Sequence, residues 1–165
     1  MYITNQTNYA LRILMYCALY HPERTTIPMI ANAYRISESH LLKILPILTR
    51  LGLVDASRGR KGGITLAREP AEITVGSVVR ETEQRFVLAE CFQSGKVACP
   101  VAGFCTLQQA WTEALQAFFF VLDRYTLADL VMRRTELRLR LGLEPPWAGG
   151  LPEERPAAVA SGAPS

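Results

Sequence analysis

Pro28-Met29-Ile30-Ala31-Asn32-Ala33-Tyr34-Arg35-Ile36-Ser37-Glu38-Ser39-His40-Leu41-Leu42-Lys43-Ile44-Leu45-Pro46-Ile47-Leu48-Thr49-Arg50-Leu51-Gly52 decides the fold of this chain. Proline is tolerated in a first turn, so a short helix is predicted from about Pro28 to Tyr34. Arg35-Ile36-Ser37 makes the turn that follows. Ser37 is a favourable N-cap for a further helix from Glu38 to Leu51, which Gly52 stops. In that helix Leu41, Leu45, Leu48 and Leu51 point to a core, while Ser39, Lys43, Pro46 and Arg50 recur at i, i+4, i+7 and i+11 on another face. An interior proline removes a backbone donor and crowds the preceding turn, at a cost of about 3 kcal/mol, so a kink or loosened turn is expected at Pro46.

Upstream, Tyr9, Ile13, Tyr16, Cys17 and Tyr20 fall at helical spacing, with Thr4 as cap and His21-Pro22 as the stop. Helix, short helix, tight turn and helix compose a helix-turn-helix, whose last helix reads a DNA groove. Downstream, Leu53-Val54-Asp55-Ala56-Ser57 and Ile64-Thr65-Leu66-Ala67 flank Arg58-Gly59-Arg60-Lys61-Gly62-Gly63. Two short strands around a basic, glycine-rich tip predict a β-hairpin wing. In isolation such a tip is a solvated hairpin. After a helix-turn-helix it is a phosphate or minor-groove contact made by Arg58, Arg60 and Lys61. The candidate groove readers on the preceding helix are Ser39, His40, Lys43 and Arg50. Lys43 can donate to guanine O6 or N7, or equally to a phosphate.

Beyond the wing, Thr74 caps a helix from Val75 to about Glu83, a cysteine-bearing loop follows to Cys105, and a long helix runs from Thr106 to about Arg124. Its Trp111, Leu115, Phe118 and Leu122, widened by Ala114, Phe119 and Val121, form more apolar surface than a small wing domain needs. A core shared by two subunits explains that surplus, since DNA readers of this type pair across two half-sites. Thr126 to Arg140 is expected to form a last, basic helix. The expected fold is thus mainly α with a small β-hairpin wing, a winged helix-turn-helix over residues 1–73. A cysteine loop and dimerisation helices occupy 74–142, and a Pro- and Gly-rich disordered tail occupies 143–165.

A chain of 165 residues with 49% hydrophobic content can bury one full core. Residues 1–70 hold nine Lys and Arg against four Asp and Glu, a formal +5, and the remainder carries −2. The basic half is the half with the DNA-reading pattern, which suits phosphate neutralisation. The first apolar segment, Ala10 to Tyr20, carries Arg12 and is amphipathic, and no run has the length needed to span a bilayer. A cytoplasmic protein without membrane association is expected. Two histidines at unrelated places, no phosphate-binding loop and no nucleophile motif argue against an enzyme.

Cys91, Cys99 and Cys105 stand within fifteen residues as Cys-x7-Cys-x5-Cys. The spacing is too wide for the close pairs of a zinc ribbon, yet it can converge on one inorganic centre if the intervening chain loops out. In a reducing compartment such thiols are ligands or sensors more often than disulfides. A thiol switch and a structural zinc site remain as alternatives, both colourless. Cys17 lies on the apolar face of the first helix and reads as core rather than as a fourth ligand.

Gln6-Thr7-Asn8-Tyr9-Ala10-Leu11-Arg12, the Ile36-Ser37 turn, Leu51-Gly52-Leu53-Val54, the wing tip and the three cysteines together resemble the iron–sulfur winged-helix repressor family over roughly residues 1–142. That family includes a cluster-assembly regulator, the nitric-oxide-sensing repressor NsrR and the rhizobial iron regulator RirA. Leu14-Met15-Tyr16-Cys17-Ala18, Ala89-Glu90-Cys91-Phe92 and the wide cysteine gap look most like the iron-regulator branch. The resemblance implies a homodimer that binds a double-stranded operator through the third helix and wing. It also implies one iron–sulfur cluster per subunit, [4Fe-4S] or [2Fe-2S], on Cys91, Cys99 and Cys105.

The family's familiar fourth ligands are a histidine just beyond the last cysteine and an aspartate near the N-terminus. This chain has Gln108 and Asn8 at those positions. An iron lacking a fixed protein ligand is open to water, oxygen, nitric oxide or loss, which makes the cluster labile. The expected function is therefore an iron-responsive repressor that releases DNA when its cluster is lost. A nitric-oxide or redox sensor of the same family is the alternative.

Overall fold

Thr4 opens the first helix as the sequence predicts: its side chain accepts from the Thr7 amide, and α1 runs from Asn5 to Tyr20. The computed structural model describes residues 2–57, 59, 62–83, 89, 92, 99–101 and 104–143. Helix α1 is the spine of the molecule, with Ala10, Ile13, Leu14, Tyr16, Cys17 and Ala18 all buried. His21-Pro22, joined by a cis peptide bond, ends it.

Helix α2 spans Ile27–Tyr34, one residue earlier than the sequence suggests, because Thr26 takes the N-cap and accepts from the Met29 amide. Arg35 closes it in the left-handed conformation, φ 53°. Helix α3 spans Glu38–Arg50 and continues through Pro46. Ser37 occupies the N-cap without a capping bond; its hydroxyl instead meets the Ser39 hydroxyl at 2.7 Å. Leu41 and Leu48 are buried as expected, but the third core residue is Ile44, and Leu45 and Leu51 are only half-buried against the core. Positions 41, 44 and 48 lie at i, i+3 and i+7 on one stripe, which leaves Leu45 at its edge.

The wing is an antiparallel pair, β1 Val54–Ser57 and β2 Gly63–Leu66, in the register Val54↔Leu66 to Ser57↔Gly63. The segment before α2 adds to it: the Thr25 amide donates to the Ile64 carbonyl at 2.9 Å, and the Ile64 amide donates to the Thr25 carbonyl at 2.7 Å. Gly63 makes that approach possible, since a Cβ there would lie 2.8 Å from the Thr25 carbonyl oxygen. Gly63→Ala is accordingly expected to destabilise the protein by about 1–3 kcal/mol, the usual cost of overpacking. Urea denaturation checks this, and an unchanged midpoint would contradict the close docking.

A short 3-10 turn, Pro70–Glu72, leads to α4, Val75–Thr82, capped by the Thr74 side chain on the Ser77 amide. Helix α5 spans Thr106–Asp123. The ends of this excursion are tied together: the Val75 amide donates to the Tyr125 carbonyl at 2.8 Å and the Leu127 amide to the Ile73 carbonyl at 2.9 Å. The single helix expected over Thr126–Arg140 is in fact two, α6 Leu127–Leu130 and α7 Arg134–Arg140. A capping box between Thr126 and Asp129 starts α6, and its one turn delivers Leu127 and Val131 into the core beside α1. The chain then redirects so that Arg134 donates to the Ala18 carbonyl at 3.3 Å and Arg138 lies 4.7 Å from the centre of the Tyr20 ring.

One hydrophobic core thus takes side chains from α1, α2, α3 and the wing together with Ile73, Val78, Leu127 and Val131. Leu143 packs half-buried on its edge. The tail assigned to disorder lies, from residue 144 onward, outside the described residues. Among the described residues no helix is long and apolar enough to cross a membrane.

Candidate nucleic-acid interface and cysteine site

The core stripe of α3 fixes what its other face presents. Ser39, His40, Lys43 and Arg50, the sequence-derived readers, are all exposed on that outer face, together with Leu42, Pro46 and Thr49. A groove of about 940 Å³ separates α3 from the wing and the start of α2, lined among others by Thr26, Pro28, Leu45, Arg50, Ser57 and Gly62. A helix able to enter a major groove and a hairpin able to reach the neighbouring backbone therefore flank one concavity. His40 is positioned by α1, its ring stacking on Tyr9 with centroids 6.0 Å apart and planes at 19°. Arg24 anchors the wing through its hydrogen bond to the Ser57 hydroxyl, a tie the sequence did not reveal.

At the wing tip Gly59 adopts φ 102°, a conformation L side chains avoid, and its carbonyl accepts from the Gly62 amide at 2.8 Å. Arg58, Arg60 and Lys61 lie outside the described residues.

Of the three clustered cysteines, Cys99 and Cys105 are half-buried and free of disulfides, and Cys91 lies outside the described residues. Cys105 is the N-cap residue of α5, yet its side chain makes no capping bond. Its carbonyl, not its thiol, receives the Gln108 and Gln109 amides, at 3.1 and 3.4 Å. The sulfur is thus not committed to the helix, and two soft thiol donors on one short loop suit an iron–sulfur cluster. Among the described residues no three His, Cys, Asp or Glu side chains converge on a common point.

Cys17 is part of the core, and burial pushes its thiol up to about 12, so it stays protonated. A buried neutral thiol is a poor metal ligand. Cys17→Ala is expected to leave the iron content of anaerobically purified protein unchanged, and a loss of iron would return Cys17 to the ligand set.

The cysteine segment is tied to the DNA-binding half where it begins. The Glu83 carboxylate accepts from the Thr4 amide at 2.7 Å and the Thr4 hydroxyl at 2.9 Å. Gln6 donates to the Thr82 carbonyl at 2.9 Å, and the Thr82 and Thr7 hydroxyls meet at 2.8 Å in a buried contact. The start of α1 and the end of α4 are therefore one hydrogen-bonded unit. No pattern in the sequence marks it, because the partners lie 75 to 79 residues apart.

A family model described as Rrf2, "Iron-dependent Transcriptional regulator", matches residues 3–133. The chain belongs to the Rrf2 family. It is 51% identical over 146 residues to "Protein aau3" of Rhizobium meliloti, covering 88% of this chain and 95% of that one. It is also 51% identical over 139 residues to the HTH-type transcriptional regulator NsrR of Geobacillus kaustophilus, covering 84% and 95%. Among solved structures, CymR, the global cysteine regulator of B. subtilis, superposes with a TM-score of 0.67 at 28% identity, covering 81% of this chain and 98% of that one. This Rrf2 protein is a DNA-binding transcriptional repressor built on a winged helix.

Proposed function

We propose that this Rrf2 protein acts as a cytoplasmic homodimer whose hold on its operator is set by an iron–sulfur cluster on Cys91, Cys99 and Cys105, with iron supply as the signal. The observation that carries this reading is the hydrogen-bonded unit at Thr4, Thr7, Thr82 and Glu83, which joins the entry to the cysteine segment to α1. Helix α1 in turn packs on α3, where Tyr9 holds His40. When bound, the cluster supplies an iron position lacking a fixed protein ligand, open to loss of iron or to small molecules. Cys105 stands at the start of α5, at the far end of the segment, and Glu83 holds the near end against the start of α1. A change of order in that segment therefore bears on the placement of α1 and, through it, of the reading helix.

An anaerobic gel-shift comparison of cluster-loaded and cluster-free protein tests the reading. Tight binding by the loaded form alone is the expected result, and equal binding by the two forms overturns it. Colour gives a second check, since a zinc or simple thiol protein is colourless. The 51% identity to an NsrR favours a second reading in which nitric oxide is the signal. Separate titrations of an iron chelator and of nitric oxide against operator binding distinguish the two.

Lys43 is proposed as the principal base contact. Lys43→Ala is expected to lose about tenfold discrimination at one operator position, as befits a guanine contact. Selection from a randomised duplex library measures it, and uniform weakening across all sequences would reassign Lys43 to a phosphate.

A further inference from the structure

The outer face of α3 is chemically divided. Ser39 and Lys43 are polar and lie away from the groove beside the wing, whereas Leu42, Pro46 and Thr49, at i, i+4 and i+7, form a stripe on the side of the wing, with Arg50 at its end. Leu42 is 53% exposed, and it lines the groove between α3 and the wing with Leu45, Pro46 and Thr49. The Thr49 hydroxyl donates to the Leu45 carbonyl at 3.0 Å, so its one donor is already used and the side chain offers a partner its methyl group and an acceptor oxygen. Pro46 has neither a backbone donor nor a polar side chain. These three residues offer no hydrogen-bond donor to a base edge.

In the major groove the one apolar feature a base presents is the C5-methyl of thymine. Placing an exposed leucine against purine edges would strip water from N7 and from guanine O6 or adenine N6 without replacing its hydrogen bonds, which is unfavourable. We infer that Leu42, flanked by Pro46 and Thr49, reads thymine methyl groups on the wing side of the operator half-site, while Ser39 and Lys43 face the other side. The inference rests on α3 being the groove-reading helix of this repressor.

The test uses full-length protein, purified anaerobically with its cluster, and a duplex selected by it from a randomised library. Each thymine of that duplex is then replaced singly by uracil, which deletes only the methyl group. At one or two positions the replacement is expected to weaken binding about fourfold, the value of one buried methyl. Leu42→Ala is expected to weaken binding to the thymine duplex and to abolish the thymine–uracil difference there. Leu42→Gln, whose side chain can pair with adenine N6 and N7, is expected to shift the selected base at that position toward adenine. Because Leu42 is half out of the protein, both variants should keep the wild-type melting temperature, which excludes misfolding as the cause. Silence of every uracil replacement, or a full thymine–uracil difference retained by Leu42→Ala, overturns the inference while leaving DNA binding intact. Failure to retain any duplex from the library overturns instead the groove-reading role of α3, and the inference with it.

Discussion

Cys105→Ser is expected to lower operator affinity about a thousandfold, the small end of the gap between specific and non-specific DNA binding. Serine is the informative replacement because of where Cys105 sits. It is the N-cap residue of α5 and makes no capping bond, and serine is among the strongly preferred N-cap residues. The substitution therefore removes the thiol while leaving the helix terminus as well satisfied as before, or better. If the cysteine segment serves only to connect α4 to α5, the serine variant should melt at the wild-type temperature or slightly above and bind the operator normally. If Cys105 holds the cluster, the variant should be colourless, hold its fold and bind only non-specifically. Fluorescence anisotropy under anaerobic conditions, beside iron and sulfide analysis of the same sample, separates these outcomes. Colourless protein with undiminished operator affinity would show that the cluster does not govern DNA binding.

How much of this was legible in the sequence depended on whether the determining contacts were local. Thr4 and Thr74 marked helix starts because each caps an amide three residues on, and Ser37 marked one by its position, without a capping bond. The wing announced itself by two short strands around a glycine-rich tip. The helix break at 131–133 was hidden because Thr126–Asp129 capping and the burial of Val131 against α1 compete with an otherwise continuous helical pattern. Ile44 and Leu45 are adjacent apolar residues, and only packing against α1 decides which goes inside. The cysteine trio was visible as a composition, whereas its junction with α1 through Glu83 and Thr82 was not, since hydrogen bonds between distant polar side chains leave no periodicity. Leu42 is illegible for a related reason: a leucine in an amphipathic helix is ordinarily counted with the core, and its exposure emerges only once Leu41, Ile44 and Leu48 have filled the buried stripe.

The second large effect is expected from Ala114→Glu combined with Val121→Glu on α5. That helix has 18 residues and none is buried, although its sequence is strongly apolar. One side is accounted for within the subunit: Arg80 of α4 forms a bidentate pair with Asp123, at 2.7 and 2.6 Å, and lies 4.2 Å from the centre of the Phe119 ring. A different side carries Leu107, Trp111, Ala114, Phe118 and Val121, spaced alternately by four and three residues, with all but Phe118 exposed. That spacing is the seam of a two-helix coiled coil, and α5 is about 27 Å long, enough for five such layers. Exposed apolar side chains in such a row suit an interaction face, and the proposed pairing with a second copy would remove them from water. Glutamates at both positions would set like charges against one another across the seam. Both sites are removed from Cys105, so the cluster should stay in place and report that each subunit is intact. Sedimentation equilibrium is expected to find a monomer. Affinity for a duplex carrying two half-sites should fall about a hundredfold or more, because the second contact is no longer tethered to the first, while affinity for a single half-site should be little changed. An unaltered dimer would place the subunit contact elsewhere. A monomer that still bound the full operator at wild-type affinity would mean that one winged helix suffices.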